Sequence, residues 1–97
     1  MEIRYLPPAQ DEFLAALEFY ESEAPGLGAE FDEEVREVEA RLAVFAESGA
    51  PFTGSTRRVL LRSFPFALIY TVGPEEVTVV AVTHQRRRPG YWSERLG

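Results

Sequence analysis

With 97 residues, 45% of them hydrophobic and 27% charged, the chain has ordinary globular composition and room for one core, which excludes a disordered or fibrous polymer. It contains no cysteine, which excludes a disulfide framework, a thiolate zinc site and a thiol nucleophile. The net charge of -6 hides opposite halves: residues 1–50 carry 13 acids against 3 arginines, and residues 51–97 carry 3 acids against 7 arginines. Long-range steering toward nucleic acid is therefore weak, while a local basic face stays available.

The opening stretch, MEIRYLPPAQDE, has no apolar run long enough for a signal peptide or a membrane span, and the expectation is a cytoplasmic protein without membrane contact. Ile3 and Tyr5 alternate with Glu2 and Arg4, which predicts a short edge strand from Glu2 to Leu6. Pro7 and Pro8 end it. Pro8 suits the first turn of a helix, and Asp11 and Glu12 are expected in that turn, favourable against the helix dipole. Ala9, Phe13, Ala16, Leu17 and Tyr20 share one helical face that should end near Ala24, where Pro25-Gly26-Leu27-Gly28 follows.

Phe31, Val35, Val38, Leu42 and Phe45 form the stripe of a second helix, with Asp32, Glu33, Glu34, Glu37 and Glu39 read as its solvated side. Asp32 with Arg36 and Glu37 with Arg41 are acid-before-base pairs, each worth only about 0.3 kcal/mol. Two matching stripes predict a helical hairpin packed on a sheet rather than a coiled coil. After Ser48-Gly49-Ala50-Pro51 and a loop to Thr56, the strand Arg57 to Arg62 puts Val59 and Leu61 on one face and Arg58, Leu60 and Arg62 on the other. The runs Phe66 to Val72 and Val77 to Thr83, joined by a turn at Gly73-Pro74-Glu75, are apolar on both faces and belong in the middle of a sheet covered on both sides.

Two helices cover one face only. The other needs the C-terminal segment with Tyr91 and Trp92, a second copy of the chain, or a foreign peptide. Short connections then predict one two-layer α+β domain over residues 1–97, β-α-α-β-β-β. Its sheet is expected to be antiparallel and four-stranded, of order 1-4-3-2, with the helical hairpin on one face.

The sequence contains no assembled catalytic motif: no serine lies in a G-x-S-x-G elbow, His84 is the one histidine, and the glycines make no phosphate loop,. Only carboxylates remain as metal ligands, and neither a metal nor a cofactor is expected. The stretch from His84 to Arg95 is different. Arginine, histidine, tyrosine and tryptophan together are the residue types of interface hot spots, and arginine with aromatics also suits RNA stacking. Three adjacent arginines, Arg86, Arg87 and Arg88, cannot all point inward.

The element order, the phrase Phe64-Pro65-Phe66-Ala67-Leu68-Ile69-Tyr70, the run Val79-Val80-Ala81-Val82, and His84 followed by an arginine cluster and Pro89-Gly90-Tyr91-Trp92-Ser93-Glu94-Arg95 resemble the RelE/ParE toxin superfamily. Within it the likeness is to the ParE-like, plasmid-stabilisation branch. The resemblance implies a toxin of a type II toxin-antitoxin pair, neutralised by a cognate antitoxin whose disordered segment folds against it and would supply the missing cover. It also implies one of two activities. RelE-like members cut messenger RNA on the ribosome, and here Arg62, His84 and Arg86 could stand in as phosphate clamps. ParE-like members poison DNA gyrase by protein contact.

The nucleases commonly carry an arginine where this chain has Ala67, and they are usually basic, whereas the pI here is about 4.8. Both departures favour the gyrase branch, with no direct sequence-specific nucleic-acid binding and no catalytic residue. The surface expected to meet target or antitoxin comprises Arg57, Arg58, Arg62, His84, Arg86, Arg87, Arg88, Tyr91, Trp92 and Arg95. A homodimer is a further partner option, and a non-toxic interaction domain or decayed toxin is the competing class.

Overall fold

Prolines and glycines divide the backbone into its elements. In the computed structural model, which describes residues 1–96, β1 spans Glu2–Tyr5, α1 Pro7–Glu23, α2 Leu27–Val44, β2 Ala50–Pro51, β3 Arg57–Leu60, β4 Phe66–Val72 and β5 Glu76–His84. Short 3-10 turns lie at Ala46–Ser48 and Ser93–Leu96. Among the described residues no helix is long and apolar enough to cross a membrane.

Pro7 and Pro8 occupy the first positions of α1, where a missing N–H costs nothing. The helix thus begins early enough that Asp11 and Glu12 fall beyond its first turn, contrary to expectation. Gly26, at φ 89°, makes the left-handed turn into α2. The Glu21 carboxylate accepts the N–H groups of Gly26 at 3.1 Å and Gly28 at 3.0 Å, satisfying donors that a helix start leaves open. A Cβ at Gly28 would lie 3.0 Å from Leu17 O, a tight backbone contact that favours glycine where the hairpin closes.

The sheet is mixed and five-stranded, in order β1-β5-β4-β3-β2. The four long strands have the expected order, but β1 runs parallel to β5, pairing Ile3 with Val77 and Tyr5 with Val79. The direction of α1 explains the difference. Rather than doubling back from β1, α1 advances along β5: Glu12 reaches the Val82 N–H and Tyr20 packs on Phe64 and Phe66 near the far end. Then α2 returns the chain to the starting end of β1, where the Met1 ammonium donates to Ala43 O at 2.7 Å. With β3 launched from that end, two hairpin reversals leave β5 parallel to β1. The extra strand β2 is the two-residue pairing of Ala50 and Pro51 with Arg58 and Arg57.

Alternation puts Val59, Leu68, Tyr70, Val77, Val79 and Val82 under the helices, against Phe13, Phe31, Val35 and Leu42. Edge-to-face contacts such as Phe31 on Phe64, 5.2 Å apart at 89°, lock the helix layer,. Phe45 falls outside this layer, past the end of α2 and 63% exposed. The opposite face holds a second cluster of Ala67, Ile69, Val80 and Ala81, covered by Trp92 with Phe52, Tyr91 and Leu6 beside it. A bulge lies behind this: Ile69 pairs with Ala81 and Tyr70 with Val79, so the unpaired Val80 and its neighbour Ala81 both join that face. The open face is therefore covered by the chain's own C-terminal segment, and the expectation that an antitoxin must supply the cover is corrected.

One residue of the presumed solvated side of α2 is buried. Glu34 accepts the backbone N–H groups of Arg62 and Ser63, holding the β3–β4 loop to the helix. Glu34→Ala leaves both donors unpaired and is expected to cost about 1–2 kcal/mol, whereas Glu33→Ala, on the exposed side, should stay within about 0.5 kcal/mol. Urea midpoints of the two variants check this, and equal midpoints would overturn the helix facing.

Candidate contact site

The tail is fastened by a carboxylate that lies 70 or more residues before it. Glu12, on α1, accepts the Val82 N–H at 3.0 Å, the Tyr91 hydroxyl at 2.6 Å and both terminal nitrogens of Arg95 at 2.9 and 3.1 Å. Arg95 also donates to Val80 O at 3.0 Å. The Arg87 guanidinium lies 3.6 Å from Glu12 and 3.6 Å above the Tyr91 ring. One half-buried anion thus ties α1, β5 and the tail together.

Electrostatics follow from this packing. Burial pushes the Glu12 carboxyl up, but hydrogen bonds from Arg95, Tyr91 and the Val82 N–H outweigh it and hold the group below its usual range,. Tyr91 moves the other way, raised by burial and by donating to Glu12. The hydrogen bond to Glu12 raises Arg95 further, so the pair stays charged at neutral pH.

The remaining candidate residues divide by what they touch. Arg57 turns inward and donates to the carbonyls of Glu47 and Gly49 at 3.2 and 2.8 Å. It braces the loop whose Gly49 N–H meets the buried Tyr70 hydroxyl at 2.9 Å. Arg58 stacks over Phe52 at 4.4 Å. Arg62 reaches Glu37 on α2 at 2.8 Å, taking the acid that the sequence pairs with Arg41. His84 lies edge-on to Phe66 at 5.4 Å, and its Nδ1 accepts the Arg86 N–H at 3.0 Å.

Of the proposed clamp residues, Arg62 pairs with an acid on α2, while His84 and Arg86 meet within one turn after β5. Trp92 is 2% exposed and serves as a plug, so it offers no contact surface. Arg86 and Arg88 are exposed, and among the described residues neither guanidinium has a partner. Sequence reading missed Glu12. A carboxylate one turn before Ala16, on the margin of the apolar face of α1, was the available signal.

Two helices on one face of a mixed sheet, with an arginine-rich segment strapped over the other, define a small α+β protein whose cations brace its own loops or face solvent. Among the described residues no group of histidine and acid side chains is placed to hold a metal. The family described as the ParE toxin of the type II toxin-antitoxin system parDE matches residues 3–89, and the chain belongs to that family. A solved structure of the chromosomal ParDE system from P. aeruginosa superposes with TM-score 0.74 at 17% identity, over 87% of this chain and 95% of that one. No curated protein sequence matches significantly. Because the family match stops at Pro89, the roles of Tyr91, Trp92 and Arg95 rest on geometry alone.

Proposed function

We propose that this ParE-family toxin acts by protein contact on DNA gyrase and is held inactive by a cognate antitoxin. The observation that carries the reading is the division of the arginines. Arg57, Arg62 and Arg95 are engaged within the fold, whereas Arg86 and Arg88 stand free on a turn fixed at both ends. That turn is anchored by Gln85 N–H to Pro65 O at 2.8 Å on one side and by the tail strap on the other. A pair of exposed guanidiniums on an anchored turn suits docking to an acidic protein surface. Of the three residues an RNA-cutting site would use, Arg62 is paired with Glu37 on α2, while the His84 ring accepts the Arg86 backbone N–H.

Antitoxin neutralisation is supported by family membership and by the ParDE system to which the structural relative belongs. Purified protein added to gyrase supercoiling and cleavage reactions, beside a coupled translation reaction, tests the target. The expected result is inhibited supercoiling with translation intact. Blocked translation with untouched gyrase would establish the ribosome-dependent nuclease instead, and no effect on either, with harmless expression in bacteria, would favour an interaction domain.

A further inference from the structure

The sheet ends differently at its two edges. On one side β2 is two residues long and finishes at Pro51, a stop that keeps an edge from pairing with another chain. On the other side β1 has no proline between Glu2 and Tyr5 and is bonded to β5 alone. The N–H groups of Glu2 and Leu6 point inward to Glu75 O and Val79 O, at 3.4 and 3.0 Å. Alternation along the strand therefore turns the N–H and C=O groups of Ile3 and Tyr5 outward, and among the described residues neither N–H has a partner,.

The side chains beside this open edge carry opposite charges. Ile3 and Tyr5 pack into the helix-side core, so Glu2 and Arg4 project from the other face, and both are exposed,. Arg4 reaches Glu76 at 3.4 Å with 58% of its side chain in solvent, which leaves it able to meet a second carboxylate. Two-fold antiparallel pairing of this strand with its own copy can be centred on Glu2, Ile3 or Arg4. Centring on Glu2 or on Arg4 sets like charges across from each other, which destabilises a sheet, whereas centring on Ile3 sets Glu2 opposite the second copy's Arg4 on both sides of the axis. In that register the two Ile3 residues exchange their open N–H and C=O groups.

Nearby charges do not oppose this. On α2, beside the edge, Arg36 already engages Asp32 and Glu39, at 3.4 and 3.2 Å. The overall charge of -6 on each copy repels at long range, but screening within about 8 Å at 0.15 M salt leaves the balance to the local pairs.

We infer that β1 is the contact strand of a homodimer, pairing antiparallel with its own copy about Ile3 and joining two five-stranded sheets into one. Because β5 runs parallel to β1, the arginine turns that follow β5 then lie at opposite ends of the joined sheet. The contact is small, so the dimer is weak and concentration-dependent.

Sedimentation equilibrium of the full chain up to roughly 0.5 mM, a range that covers interfaces of this size, is the test. The wild type is expected to form dimers and nothing larger. Glu2→Arg and Arg4→Glu, both at exposed positions, each put like charges across the axis and should weaken the dimer by about tenfold. An equimolar mixture of the two variants restores opposite charges at both positions and should associate about as well as the wild type. A monomeric wild type would overturn the proposal, as would a dimer that both single variants retain or a mixture that associates no better than its components. Phe45→Ala, at an exposed apolar position past the end of α2, should leave the dimer intact; a dimer abolished by this change alone would place the interface away from β1.

Discussion

Trp92→Ala is expected to lower the unfolding free energy by about 3–5 kcal/mol, the cost of emptying a large aromatic site in a core. Trp92 is the lid of the second cluster, over Ala67, Ile69, Val80 and Ala81, with Phe52 at 5.9 Å and Tyr91 at 5.2 Å from its ring. Removing it uncovers side chains on the two central strands that the helices cannot reach. Trp92→Phe restores much of the apolar contact, and the buried indole N–H has no protein acceptor among the described residues, so no hydrogen bond is forfeited. The phenylalanine variant should therefore keep more than half of what alanine loses. Urea denaturation followed by circular dichroism measures both, since the one tryptophan is itself replaced. An alanine variant as stable as the wild type would show that the tail is not part of the fold.

The second large effect is at Glu12. Glu12→Ala strands the Arg95 guanidinium, 19% exposed, together with the Tyr91 hydroxyl and the Val82 N–H. Breaking such a pair is expected to cost about 3 kcal/mol. Glu12→Gln keeps a carbonyl acceptor and should lose less. The pH dependence follows from the lowered folded-state pKa: the contribution of Glu12 is present in full above the ordinary glutamate value of about 4.3 and is lost as pH falls through the folded value. Wild-type stability should drop on acidification from there, and Glu12→Gln should show a shallower drop. Parallel profiles for the two proteins would contradict the strap.

How far the sequence could be read depends on the range of the forces involved. The central strands were legible because runs apolar on both faces have few other places to go, and the helix faces because Phe13, Phe31, Val35 and Leu42 repeat at helical spacing. The need for a second cover was legible too, and Trp92 was among the candidates to supply it. The direction of β1 was not, because it turns on which way α1 leaves Pro7, a tertiary choice fixed by Tyr20 against Phe64 and Phe66. Glu12 was hidden for a related reason: its partners lie 70 to 83 residues away. Glu34 looked like one more acid on a charged helix, and only the loop at Arg62 and Ser63 shows why it is buried. Composition of the tail announced contact chemistry, but three of its members, Tyr91, Trp92 and Arg95, are spent on holding the tail itself.

That division leaves Arg86 and Arg88 as the cations of the tail whose side chains have no partner among the described residues. Gyrase supercoiling in the presence of the Arg86→Ala/Arg88→Ala double variant tests this most directly, because both sites are exposed and the fold should be unaffected. Inhibition by the wild type that the double variant loses is the predicted result; full inhibition retained by the double variant would contradict it.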